Sequence, residues 1–162
     1  MKIIFLDIDG VLNSEEFFVE MTQNCRYDSY RSAGYSAKMS RNLCSLDSIA
    51  IANLNHLITQ TEAKIVVSST WRSDDPFLQE VFAVVVIPAY IGITPYTETR
   101  HRGLEINYWL EKHPEVENYV ILDDDNDMLD KQLEHFVQTD AYKRGLSLEN
   151  VEQAIKILNK VC

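Results

Sequence analysis

The chain has 162 residues, enough for one domain with a real core. Its hydrophobic fraction of 46% and charged fraction of 25% are ordinary for a soluble globular protein. The net charge of −10 excludes nucleic-acid binding by bulk electrostatics, because no counterion release would drive it; only local basic clusters remain for that role. Even the longest apolar run, which includes residues 82–87, is far too short to cross a bilayer.

Lys2 to Leu6 is a short apolar run rich in β-formers and predicts a buried first strand. It ends in carboxylates rather than a small-residue cleavage site, so it reads as core and not as a secretory leader. Residues 14–45 follow, polar and aromatic with no clean period. About thirty residues without a core pattern are too many for a simple loop, which predicts a small cap or a mobile insertion. From Asp47 the pattern turns helical: Ala50, Leu54, Leu57 and Ile58 share a face, and Asp47 can cap it.

Lys64 to Val67 predicts a second strand, closed by Ser68-Ser69-Thr70. Asp75-Pro76 opens a helix with proline at the favoured first position. Residues 90–93 predict a third strand. From Arg102, the residues Ile106, Trp109 and Leu110 mark a helix that stops before Pro114. Residues 119–122 predict a fourth strand, Met128, Leu129 and Leu133 a short helix, and residues 136–139 a fifth strand. Ser147 caps a last helix with Val151, Ala154, Ile155 and Leu158 on one face. Short apolar strands without in/out alternation, alternating with helices, predict an α/β fold: a doubly wound, Rossmann-like parallel sheet of about five strands with helices on both faces. The whole chain, 1–162, reads as a single domain carrying the 14–45 insertion after strand 1.

Ligands in such a sheet sit at the carboxyl ends of the strands. The first strand ends in Asp7-Ile8-Asp9-Gly10, with two carboxylates that an extended chain points to one side. Acids that close repel, and a divalent cation such as magnesium, which prefers oxygen ligands, resolves the repulsion. Ser68-Ser69-Thr70-Trp71-Arg72 offers hydroxyls and free backbone N–H groups for a phosphoryl oxygen. Asp123-Asp124-Asp125-Asn126-Asp127 is costly at a strand end unless solvated or on a metal. Arg100-His101-Arg102-Gly103, at a helix start, supplies a cation that a phosphoryl group among carboxylates requires. The histidines (His56, His101, His113 and His135) form no ligand spacing, and Trp71 and Trp109 read as core or rim residues. Cys25, Cys44 and Cys162 show neither metal spacing nor even pairing, so a reduced, cytoplasmic protein is expected.

In this order, these four features resemble the four motifs of the haloacid dehalogenase (HAD) superfamily. More narrowly, "AKIVVSSTWR", "GITP", "RGLEINYWL" and "YVILDDDND" resemble the HAD domains of Swiss-army-knife RNA repair proteins. The resemblance implies a magnesium-dependent phosphohydrolase or phosphotransferase. Asp7 would be the nucleophile that forms an aspartyl-phosphate. Asp9 would be the general acid and base, and its presence favours phosphate chemistry over carbon–halogen cleavage. Asp7, the Asp9 backbone carbonyl and Asp124 would hold magnesium, with Asp123 adjacent. Ser68, with Ser69 as the alternative, and Arg102 would hold the transferring group. The superfamily more often has lysine at the Arg102 position, and Arg100 and Lys112 compete for that role. Nucleic acid ends, nucleotides and phosphoproteins stay open as phosphomonoester substrates. A catalytically idle phosphate- or protein-binding domain is the alternative.

Overall fold

The computed structural model describes residues 1–24 and 26–160; Cys25 and Cys162 lie outside the described residues. The strands are β1 (Lys2–Leu6), β2 (Lys64–Val67), β3 (Gly92–Ile93), β4 (Asn118–Asp123) and β5 (Phe136–Gln138). They form one sheet in the order β3-β2-β1-β4-β5, every pairing parallel. β1 is central, and its last residue, Leu6, lies level with Val67 of β2 and Leu122 of β4. The register therefore puts Asp7, Ser68 and Asp123 side by side at the carboxyl edge.

The helices are α1 (Glu15–Asn24), α2 (Tyr27–Ser32), α3 (Ala37–Cys44), α4 (Ser48–Thr61), α5 (Asp75–Val84), α6 (Arg102–Glu111) and α7 (Leu148–Leu158). Alternate β1 residues feed two cores. Ile4 and Leu6 join Leu54 and Leu57 of α4, Leu78 and Phe82 of α5, and Val151 and Ala154 of α7. Ile3 and Phe5 join Ile106 and Trp109 of α6. The sheet is thus covered on both faces, which is why its strands are continuous apolar runs. No helix among the described residues is long and apolar enough to cross a membrane.

Local chemistry sets the boundaries. Asp47 accepts from the Ile49 N–H at 2.8 Å to start α4. Ser147 and Asn150 form a reciprocal capping box on α7. Three elements depart from the pattern-based reading. β3 is two residues rather than four, because Tyr90 turns inward against Phe82 and donates its hydroxyl to Asp75 of α5. The short helix near residue 130 is a 3-10 helix, Asp130–His135, with Leu133 exposed and Gln132 fully buried. Gln132 is inside because its amide satisfies two backbone groups, the Leu129 N–H and the Gly103 carbonyl. Residues 14–45 are largely helical, and the segment is not wholly outside the core: Met39, Leu43 and Cys44 of α3 are buried.

Candidate active site

The chain bends sharply after β1. The Leu12 N–H closes on the Ile8 carbonyl at 2.8 Å, and Gly10 has φ +73°. A Cβ at Gly10 would meet Asp124 Cγ at 2.3 Å, so glycine is what lets the Asp124 carboxylate approach β1. Asp7 itself is 5% exposed. Asp9, two residues on, is exposed, and its charge still acts on both Asp7 and Asp124. Its carboxylate accepts from Asn13 Nδ2 and Trp71 Nε1, each at 2.9 Å. Asn13 is fixed in turn by the Gly10 N–H at 2.8 Å.

Asp7, Asp123 and Asp124 converge, each offering an oxygen within 4.8 Å of the others, a spacing that can hold a metal ion. Arg102, at the first turn of α6, reaches Asp7 with Nη2 at 3.2 Å and Asp123 with Nε at 3.0 Å. Its backbone N–H donates to Asp127 Oδ2 at 2.8 Å, so Asp127 caps the helix that carries the arginine. Gly103 packs so tightly that a Cβ would lie 2.7 Å from the Leu129 nitrogen. One guanidinium does not balance three acids. Burial, with lesser help from Asp9 and Asp124, raises the Asp7 carboxyl to about 6 against the pull of Arg102 and a Ser69 hydrogen bond. Burial and the Asp7 charge raise Asp123 to about 8, again against Arg102. Burial also raises Asp124. The Asp123 Oδ2 atom is buried and receives no aligned hydrogen bond despite the nearby guanidinium. An all-oxygen donor set short of positive charge, with an unsatisfied buried carboxylate oxygen, fits a hard divalent cation.

The β2 loop closes the other side. The Ser69 hydroxyl is the one that bonds Asp7. The Ser68 hydroxyl is fully buried and has no hydrogen-bond partner among the described residues. The Ser68 and Ser69 carbonyls both accept from Arg72 Nη1. Arg72 also donates to the Thr94 carbonyl at 3.0 Å and pairs with Glu105 at 2.6 Å. Of the competing cations, Arg102 alone lies among the acids. Arg100 sits over the Tyr96 ring, and Lys112 lies at the far end of α6, about 15 Å along the helix.

Sequence reasoning missed Asn13 and Trp71 as partners of Asp9, and Arg72, Glu105 and Asp127 as supports. A signal existed for some of them: Asn13 follows Asp9 by four residues across a glycine turn, and Trp-Arg directly follows the hydroxyl cluster. Glu105 gave none, because its partner is 33 residues away.

An all-parallel five-stranded sheet with carboxylates at the tips of adjacent β1 and β4 is the arrangement of a HAD-type, Rossmann-like core. The chain belongs to the family described as the HAD domain in Swiss Army Knife RNA repair proteins, whose model matches residues 3–151. Comparison with curated proteins and with solved structures gives no match.

Proposed function

We propose that the protein is a magnesium-dependent phosphomonoesterase that works through an aspartyl-phosphate on Asp7, with a nucleic acid end as its substrate. The observation that carries the chemistry is the buried Asp7/Asp123/Asp124 cluster, short of positive charge and shared with a single arginine. The family description, a domain of RNA repair proteins, supports the choice of substrate.

Asp7, Asp123, Asp124 and the Asp9 carbonyl would hold magnesium, which when bound neutralises the acids and draws charge from the phosphoryl oxygens. Arg102 and Ser69 hold those oxygens in line with Asp7. An Asp7 oxygen forms a bond to phosphorus as the bond to the leaving oxygen breaks, and the proton on the Asp9 carboxyl passes to that leaving oxygen. Water then attacks phosphorus and gives its proton to the Asp9 carboxylate. The phosphorus–Asp7 bond breaks, releasing phosphate and restoring both acids. Trp71 and Asn13 orient the Asp9 carboxylate for both transfers. Helices α1 and α2, rooted directly after the nucleophile turn, form the small cap that governs which substrates enter.

The test is a hydrolysis screen with magnesium over 4-nitrophenyl phosphate, nucleotides, phosphorylated oligonucleotides and phosphopeptides. The reading predicts turnover that a chelator stops and a preference for oligonucleotides. Full activity in excess chelator sinks the metal assignment, and a preference for phosphopeptides sinks the substrate.

A further inference from the structure

A strand whose terminal phosphate sits at Asp7 must leave across the surface of a protein of net charge −10. Two hollows differ sharply in what they offer it. The larger, about 910 Å³, lies beside Asp124. Six carboxylates line it: Glu15, Glu16, Asp124, Asp125, Asp140 and Glu149. Its cations are already committed, Lys143 to Asp140 at 3.7 Å and Arg144 to Glu20 at 2.6 Å. A polyanion is repelled there.

The smaller hollow, about 370 Å³, lies between the chain leaving β3 and the second half of α6. Among the described residues, no carboxylate lines it. Its walls are Tyr96, Tyr108, Trp109 and His113, with Lys112 at the rim. Trp109, 6% exposed, and His113 stack on each other at 3.5 Å in its wall. Tyr108 is 46% exposed and presents its ring to a ligand, whereas the Tyr96 ring, 47% exposed, already carries the Arg72 guanidinium 4.0 Å from its centroid. Tyr96 links this hollow to the catalytic loop, since its hydroxyl donates to the Thr70 carbonyl at 3.3 Å. Arg100 sits over the same ring, its guanidinium 5.5 Å from the centroid. Neither Arg100 nor Lys112 enters an ion pair among the described residues.

Resting on the nucleic-acid-end reading above, we propose that this hollow seats the single strand leading away from the scissile phosphate. A base stacks on Tyr108, the Tyr96–Arg100 pair borders it, and backbone phosphates meet Arg100 and Lys112. Aromatic rings interleaved with free cations are what a single strand requires, and stacking of this kind is tolerant of sequence. From Arg102 to Lys112 the helix spans about 15 Å, room for about four stacked nucleotides at ~3.4 Å each.

The experiment measures binding of fluorescently labelled single-stranded RNA, phosphorylated at either end, to the Asp7→Asn protein, which cannot turn it over. Tyr108→Ala should weaken binding about tenfold, the loss of roughly one stacked base, and a strand with abasic sites should lose a similar factor. Lys112→Ala should weaken binding for every sequence alike and flatten the slope of log affinity against log salt by about 0.7. Lys143→Ala, in the acid-lined hollow, should bind like its parent. The proposal is overturned if Tyr108→Ala and Lys112→Ala bind as tightly as the parent, if Lys143→Ala alone weakens binding, or if the parent binds no strand at all. Aryl phosphate hydrolysis by the unaltered protein separates the two readings. Turnover without strand binding removes the seat and leaves the phosphatase. Strand binding with no turnover of any phosphate does the reverse.

Discussion

Two arginines within one cluster of loops pack against carboxylates, Arg72 buried and Arg102 with its side chain 14% exposed, and they behave as opposites. Arg72 and Glu105 are matched one to one, with side chains 1% and 3% exposed. Arg72 spends its remaining donors on the carbonyls of Ser68, Ser69 and Thr94, and Glu105 accepts the Thr97 N–H at 3.0 Å. Arg102 faces two acids directly and a third close by, its Nη1 atom is buried without a partner, and the acids around it are pushed upward. A closed pair of this kind consumes its own polarity and leaves nothing for a ligand. The open group keeps unsatisfied polarity at the edge of the sheet, which is the condition for binding a cation and an anion together. Both groups perturb pKa values, so perturbation alone does not separate support from chemistry; the charge balance does.

The sharpest break of this contrast is Asp7→Asn. It should lower phosphate hydrolysis on the order of 10⁴-fold or more, measured as kcat, while leaving the denaturant midpoint near or above that of the parent because a buried repulsion is relieved. A fully active Asp7→Asn protein removes the covalent mechanism. On the other side, Glu105→Ala leaves a buried guanidinium unpaired and should cost about 3–5 kcal/mol of stability, read from chemical denaturation. A loss below about 1 kcal/mol would mean the closed pair is not the support it looks like.

The pH dependence of stability sharpens the same point. Asp123 and Asp7 are held at about 8 and about 6, above the ordinary carboxylate value, so the folded protein binds more protons than the unfolded chain in between. Their contribution is fully present below about pH 4 and is lost as pH rises through about 6 and then about 8. Without divalent cations, thermal stability should therefore decline across that window, and magnesium should flatten the decline. A metal-free protein whose melting temperature rises steadily from pH 5 to pH 8 contradicts the charge deficit. The smallest effect belongs to Trp71→Phe, which removes one donor from Asp9. It should lower kcat by about tenfold or less, at the low end of what acid–base catalysis contributes. Alkyl phosphates, with poor leaving groups, should suffer more than 4-nitrophenyl phosphate. An equal loss on both would point to a general disturbance of the loop.

Most of the sheet was legible in the sequence because each buried strand is a short apolar run closed by a polar residue. Lys64 to Val67 was read with its observed boundaries. Asp47, Pro76 and Ser147 marked helix starts through chemistry that acts within one turn. The helices in residues 15–44 were not legible, because α2 buries no residue and α3 buries only one side of eight residues, too little for a period to emerge. Leu133 is a poor guide for the converse reason: this apolar side chain lies outside, while polar Gln132 holds the interior by satisfying backbone groups. At the site, the acids and Arg102 announced themselves through motif order. The contact of Ser69 rather than Ser68 with Asp7 depended on how the chain turns after β2, and the Trp71–Asp9 bond joins residues 62 apart.

Arg72 has one further consequence. Through four donors it joins the chain leaving β2, the chain leaving β3 and, by way of Glu105, the helix that begins with Arg102. Glu105 extends the join to the amide of Thr97. The phosphate-side loop and the cation-bearing helix therefore cannot loosen separately, for either movement strands a buried charge. They open together or not at all, as one cooperative unit. Under native conditions the Thr97 amide should exchange with solvent deuterium at the rate of that joint opening, far more slowly than its place in a connecting segment would suggest.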